Sequence, residues 1–215
     1  MSDQIKHECG IALLRLLKPL SYYQQKYGTA LYGLNKMYLL MQKQVNRGQD
    51  GAGLVNIKIN TKPGYPYISR RRSVEQNSIQ DIFLKISERF KRIRDRYPNK
   101  FNNPEWMKQN CSFMGELFLG HLRYGTYGGN NIAHCHPFLR QNNWKSRNLV
   151  LAGNFNMTNV EELLNQLIEL GQHPKEKSDT VTILEKIGHF IDEENTRLYS
   201  KYKTQHKSNI EISKL

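Results

Sequence analysis

Residues 46–53 read NRGQDGAG, and three glycines within six positions stop any helix or strand from running through them. Both flanks are periodic. Upstream, Leu31, Leu34, Met37, Tyr38, Met41 and Val45 recur at helical spacing. Downstream, in GLVNIKIN, Val55, Ile57 and Ile59 alternate as in a half-buried strand. The loop therefore separates a helix from a strand.

The remaining segments continue the alternation. CGIALLRLL, residues 9–17, is apolar almost without a break and reads as a buried strand. SIQDIFLKISERFKRIRDRY places Ile79, Ile82, Phe83, Ile86, Phe90 and Ile93 on one side of a helix whose other faces are basic. A polar loop is expected around YPNKFNNPEW, then strands in GELFLGHLRY and NLVLAGN. Thr158 with Glu161 is a capping-box pattern opening TNVEELLNQLIEL, and Gly171 closes that helix. A last helix begins at Ser178 or Asp179 and fades near Asn195. Two architectures fit this order: a doubly wound parallel sheet, or layered sheets flanked by helices. Short glycine-rich turns favour antiparallel pairing, and the GxGxxG and GxxxxGK[ST] phosphate loops are both missing from the sequence.

At 215 residues and 38% apolar, the chain can bury a core as one domain, at most two. Its opening residues lack the apolar run of a signal peptide, and no stretch approaches bilayer-spanning length, so a soluble cytoplasmic protein is expected. Cys9, Cys111 and Cys135 are odd in number and widely spaced, which fits free thiols rather than a disulfide framework or a zinc knuckle. Of the net charge of +13, a surplus of 8 falls in residues 58–108 and 4 in residues 196–215. The first surplus lies largely on the amphipathic helix, so a solvated basic exterior is preferred to a nucleic-acid surface.

HECGIALL, NRGQDGAG, GHLRYGTYGG and LAGNFNMTN occur in the order and approximate spacing of the class II glutamine amidotransferase domain. RGQDGAG in particular resembles amidophosphoribosyltransferases. The likeness runs from Cys9 to about Asp179. It implies an α+β fold of the N-terminal nucleophile (Ntn) hydrolase kind, a four-layer αββα sandwich with mainly antiparallel sheets. Residues 1–8 then form a candidate propeptide, 9–195 the glutaminase domain, and 196–215 a polar basic tail that looks cut before a phosphoribosyltransferase domain.

The resemblance makes Cys9 the nucleophile, freed by cleavage after Glu8. Its α-amino group, with a reference pKa of about 7.7–8.0, is then the base that takes the thiol proton. Asn154, through its side-chain amide, and Phe155, through its backbone N–H, would form the oxyanion hole. Removing one such donor typically costs about 10²- to 10³-fold in rate. Here the family's usual His-Asn-Gly is replaced by Gly153-Asn154-Phe155, which puts a bulky residue where glycine accepts positive φ. Arg123 would hold the substrate carboxylate with its two-pronged guanidinium, and Asp179 the substrate amine. Arg47, Thr126 and Gly128 would shape the pocket floor.

HCHPF, residues 134–138, sets His and Cys side by side, but neighbours on an extended chain point to opposite faces. It reads as a diverged structural loop where the family has Asn-Ala-Gln-Pro-Phe, not as a metal site. KPLSYYQQKYGTALYG looks like an insertion. The expected activity is hydrolysis of L-glutamine through a cysteine thioester. No cofactor is expected for this half, and magnesium is expected only with the phosphoribosyltransferase domain. A catalytically silent Ntn-like domain that binds glutamine or a partner protein without turnover is the alternative, and a basic RNA-binding module, resting on charge alone, is the third.

Overall fold

Glycine decides where the helices settle on the sheet. The computed structural model describes residues 8–125 and 131–214. In chain order the strands are β1 (Gly10–Arg15), β2 (Ala52–Ile57), β3 (Ile68–Ser73), β4 (Leu117–Leu122), β5 (Phe138–Arg140) and β6 (Leu149–Leu151). The helices are α1 (Leu20–Tyr27), α2 (Tyr32–Gln42), α3 (Ser78–Arg96), α4 (Pro98–Phe101), α5 (Pro104–Asn110), α6 (Val160–Glu169), α7 (Asp179–Thr204) and α8 (Asn209–Ile212). The chain divides into two compact units, Met1–Pro137 and Phe138–Leu215.

The first unit is built on a four-stranded sheet in the order β1-β4-β2-β3, antiparallel at every pairing. One face carries Ala12, Leu54, Phe118 and Leu122 into a core with Met37 and Met41 of α2 and Ile79, Ile82, Ile86 and Phe90 of α3. The close approach of α2 requires two glycines. A Cβ on Gly120 would stand 2.5 Å from Met37 Cε, and one on Gly33 2.7 Å from the Phe118 ring. Each fully buried side chain of this kind stabilises the fold by about 1.5–3 kcal/mol.

β1 departs from the expected doubly buried strand. Ile11 and Leu13 are 46% and 66% exposed while Gly10 and Ala12 are buried, so a continuous apolar run alternates in burial. β2 departs the other way, being buried from Ala52 to Asn56 rather than on one face. As an inner strand it has the core on one side and the 135–137 backbone close to Gly53 on the other. β3, ISRRRS, is an edge strand whose three consecutive arginines hide its alternation.

The expected polar loop after α3 holds α4 and α5, each opening on a proline, where the missing N–H costs nothing. The Asn103 side chain accepts the Trp106 N–H and caps α5. KPLSYYQQKYGTALYG contributes α1, closed by Gly28 at φ 75°, with Tyr27 stacked on Tyr32 at 4.3 Å.

In the second unit β5 and β6 pair antiparallel, and α6 and α7 pack together. Asn159 takes the N-cap position of α6 without a side-chain bond, so the Thr158–Glu161 capping box does not form. Gly171, at φ 78°, closes the helix as expected, and the Gln172 N–H donates to the Leu167 carbonyl at 3.0 Å. α7 runs nine residues past the expected Asn195. Thr196 accepts from Arg147 at 3.2 Å and Tyr199 lies edge-on to Trp144, so β5–β6 loop contacts carry the helix onward. Antiparallel sheets with helices make this an α+β protein, and the parallel doubly wound alternative is set aside.

Candidate active site

In the first unit three motifs meet at one end of the sheet. Gly10 pairs with Leu122, so Cys9, one residue before, and Arg123, one residue after, flank the same end of the β1–β4 ladder. The Arg123 N–H donates to the Gly51 carbonyl at 2.8 Å, and its own carbonyl accepts the Asp50 N–H at 3.0 Å. The Asp50 carboxylate then accepts the Gly125 N–H at 2.8 Å. The RGQDG loop is thereby latched onto residues 123–125. Gly48 makes the fit possible, since a Cβ there would lie 2.7 Å from the Leu122 and Arg123 backbone.

Arg123 is 5% exposed, a buried cation on this latch. Arg47 is exposed, with its guanidinium 3.9 Å from the Glu8 carboxylate, which places it beside the Glu8–Cys9 junction. Thr126 and Gly128 lie outside the described residues. Asp50 carries no signal in the sequence beyond its place in the motif, because its partner is 75 residues away.

The three thiols differ in environment. Cys9 is half-buried, whereas Cys111 and Cys135 are buried. Burial pushes the Cys111 thiol up despite the charges of Lys58 and Arg89, and pushes the Cys135 thiol up despite Arg123 and Arg72. Both are therefore held in the unreactive protonated form. Cys9 is the most accessible of the three thiols.

Segment 133–137 packs over Gly51, just before β2, and Gly53 within it. Arg72 donates to the carbonyls of Cys135 at 2.8 Å and Ala133 at 3.2 Å. A Cβ on Gly53 would collide with the His136 carbonyl, and one on Gly51 would stand 2.6 Å from the Cys135 sulfur. His136 stacks on His121 with ring centres 4.5 Å apart. Burial first, then the charges of His121, Arg123 and Arg72, lower its pKa to about 3, so it is neutral at physiological pH. Among the described residues no group of three or more His, Cys, Asp or Glu is placed to hold a metal ion.

In the second unit Asp179 opens α7, with Ser178 as its cap: the Ser178 hydroxyl accepts the Val181 N–H at 3.3 Å. The Asp179 carboxylate accepts the Met157 N–H at 2.8 Å, which ties it to the loop carrying Asn154 and Phe155. Asn154 is exposed and Phe155 half-buried. The Phe155 ring folds back over Gly153, with Cε2 2.8 Å from where a Cβ would be. Phe155 is not among the non-glycine residues at positive φ, which in the described chain are Asn60, Phe113 and His206.

No family model matches the chain. Among curated proteins it is 27% identical over 150 residues to amidophosphoribosyltransferase 3, chloroplastic, of Arabidopsis thaliana, covering 70% of this chain and 22% of that protein. It is 28% identical over 142 residues to the amidophosphoribosyltransferase of Lacticaseibacillus casei, covering 66% of this chain and 57% of that protein. A solved glutamine phosphoribosylpyrophosphate (PRPP) amidotransferase from B. subtilis, complexed with ADP and GMP, aligns at a TM-score of 0.45 and 24% identity, over 70% of this chain and 25% of that one. The chain thus spans between about a fifth and somewhat over half of the curated relatives' length. Four motifs in order and these relatives together show that the chain carries a class II glutamine amidotransferase-like domain.

Proposed function

We propose that this domain hydrolyses L-glutamine to glutamate and ammonia, with Cys9 as nucleophile. The observation that carries the reading is that Cys9, the one half-exposed thiol of three, flanks the same ladder end as the buried Arg123. Cleavage after Glu8 frees the Cys9 α-amino group, which takes the thiol proton. The thiolate attacks the side-chain amide carbon of glutamine, and the C=O electron pair moves onto oxygen. Asn154 and the Phe155 N–H are assigned to that oxyanion. As the intermediate collapses, the C–N bond breaks, the α-ammonium returns its proton to the leaving nitrogen, and ammonia departs. Water then cleaves the thioester by the same proton route, giving glutamate and free Cys9.

Arg123 is assigned to the substrate carboxylate and Asp179 to the amine, with Arg47, Thr126 and Gly128 completing the floor. The reading carries a four-layer αββα sandwich. Its support is that the sheet presents apolar Ile11 and Leu13 on the side away from the α2 and α3 core. It also carries a phosphoribosyltransferase domain, downstream or separate, that uses the ammonia and requires magnesium, and a cytoplasmic role in purine synthesis. The glutaminase half needs no cofactor. No described helix is long and apolar enough to cross a membrane.

The Gly153–Phe155 exchange favours one second reading, a silent domain that binds glutamine without turnover. Ammonia release from glutamine by the purified chain, abolished in Cys9→Ala, supports hydrolysis. Glutamine binding without release supports the silent reading. Chain-dependent pyrophosphate release from phosphoribosyl pyrophosphate with magnesium and ammonia would contradict placing the synthase step in another domain.

A further inference from the structure

Four of the six basic residues of α3 line one groove. A concavity of about 440 Å³ is lined by Arg71, Lys85, Arg89, Arg92 and Arg96, with Ile86, Ile93, Tyr97 and Phe113 as its apolar part. No carboxylate lines it. Lys85 is partly neutralised by Asp81 at 2.8 Å. Burial pushes the Asp81 carboxyl up, but hydrogen bonds from Lys85 and Ser73 and the charges of Lys85 and Arg71 hold it below its usual range. Arg89, Arg92 and Arg96 have no ion pair with a carboxylate among the described residues.

The spacing of these charges selects the kind of anion. Lys85, Arg89, Arg92 and Arg96 follow one another at four, three and four residues, which keeps them on one side of the helix over about 16 Å. A single phosphate spans only one or two of them. A chain of regularly spaced phosphates meets all four. At the end of the row Tyr97 is 37% exposed, its ring under the Arg96 guanidinium at 5.3 Å and tilted against Trp106 at 5.4 Å. Lys100 lies 6.0 Å and 5.9 Å from those two rings. A row of cations ending in an exposed tyrosine is the arrangement that holds a sugar–phosphate backbone while stacking a base. An acidic peptide carries its charges on separate flexible side chains, whereas a nucleic-acid strand brings evenly spaced phosphates and a base at every step.

We propose that this groove binds a single-stranded oligonucleotide, with Arg89, Arg92 and Arg96 on successive phosphates and Tyr97 against a base. The proposal is independent of glutamine chemistry, since none of these residues belongs to the candidate active site.

The test is fluorescence anisotropy of the full chain with labelled 15-nucleotide oligo-U RNA and oligo-dT DNA across salt concentrations. Contact of Arg89, Arg92 and Arg96 with three phosphates predicts a log–log slope of about −2 against salt for single strands. Arg89→Glu with Arg92→Glu should weaken binding at least tenfold, and Arg89→Gln with Arg92→Gln serves if the reversal disturbs folding. Tyr97→Ala should weaken binding about fivefold or more without changing the slope. Lys201→Glu with Lys203→Glu, the same charge change on α7, should leave affinity within about twofold. Tighter binding of RNA than DNA, or the reverse, identifies which strand the groove prefers and supports the proposal either way. Equal loss in the α7 control, or displacement of the oligonucleotide by an equal concentration of poly-glutamate, would overturn it.

Discussion

The Asp179 carboxylate accepts the Met157 N–H at 2.8 Å. The residue assigned to the substrate amine therefore also fixes the loop that carries Asn154 and Phe155, the two residues assigned to the oxyanion. A hydrogen bond to a charged group contributes about 1.5–3 kcal/mol, enough to hold a short loop in one conformation.

Two substitutions separate these duties. Asp179→Asn keeps an oxygen for the Met157 N–H and removes the negative charge. It should raise KM for glutamine with little change in kcat. Asp179→Ala removes both and should also lower kcat, by about tenfold or more. Steady-state kinetics on both variants decides this, and identical profiles would show that the loop contact has no part in turnover.

Gly153 and Phe155 form a second coupled pair, because the ring occupies the space above the glycine. Gly153→His should drive a side chain into that ring and lower kcat by about tenfold or more. Phe155→Gly should leave the loop unsupported and lower kcat as well. The double variant restores the His-Asn-Gly order and should recover at least the wild-type rate. A double-mutant cycle measures the coupling, and additive losses would show that the two positions are independent.

Gly53 tests the packing of the 133–137 segment. Gly53→Ala directs a methyl group at the His136 carbonyl and should destabilise the fold by about 1–3 kcal/mol, lowering Tm by roughly 2–10 °C. Gly64→Ala is the comparison: it meets no atom within 4 Å, and its cost comes only from φ 87°. Thermal unfolding of the pair should show Gly53→Ala as the larger loss.

Acid should weaken the first unit through His136. Its folded-state pKa of about 3 lies below the ordinary 6.5, so between these values the unfolded chain takes up a proton that the folded chain refuses. The stabilisation is complete above pH 6.5 and declines as pH falls toward 3, by about 1.4 kcal/mol per pH unit at most. Urea unfolding of the wild type and His136→Gln between pH 7 and 4 should show the variant with the shallower pH dependence.

Local patterns carried most of the helices. Ile79, Ile82, Ile86 and Phe90 mark α3 by spacing alone, and all four are buried in the core. Gly171 marks the end of α6 because positive φ is a property of one residue. Features set by distant partners were not legible. Arg70, Arg71 and Arg72 show no apolar alternation, yet they lie in an edge strand, with Arg72 holding the Ala133 and Cys135 carbonyls. The end of α7 depends on Trp144 and Arg147, and the roles of Asp50 and Asp179 on backbone donors 75 and 22 residues away. The family motifs single out Cys9 as the candidate nucleophile. The latch that sets Arg123 against the RGQDG loop emerged only in three dimensions.

The central claim is that a newly exposed N-terminal Cys9 attacks glutamine. The most direct measurement is intact-mass and peptide-mapping mass spectrometry of the purified chain after reaction with a glutamine-like electrophile, alongside ammonia release from the same sample. The account predicts that active molecules begin at Cys9 and that a single adduct on Cys9 abolishes release. Full ammonia release from molecules that all retain residues 1–8, or inactivation that tracks an adduct on Cys111 or Cys135, would contradict it.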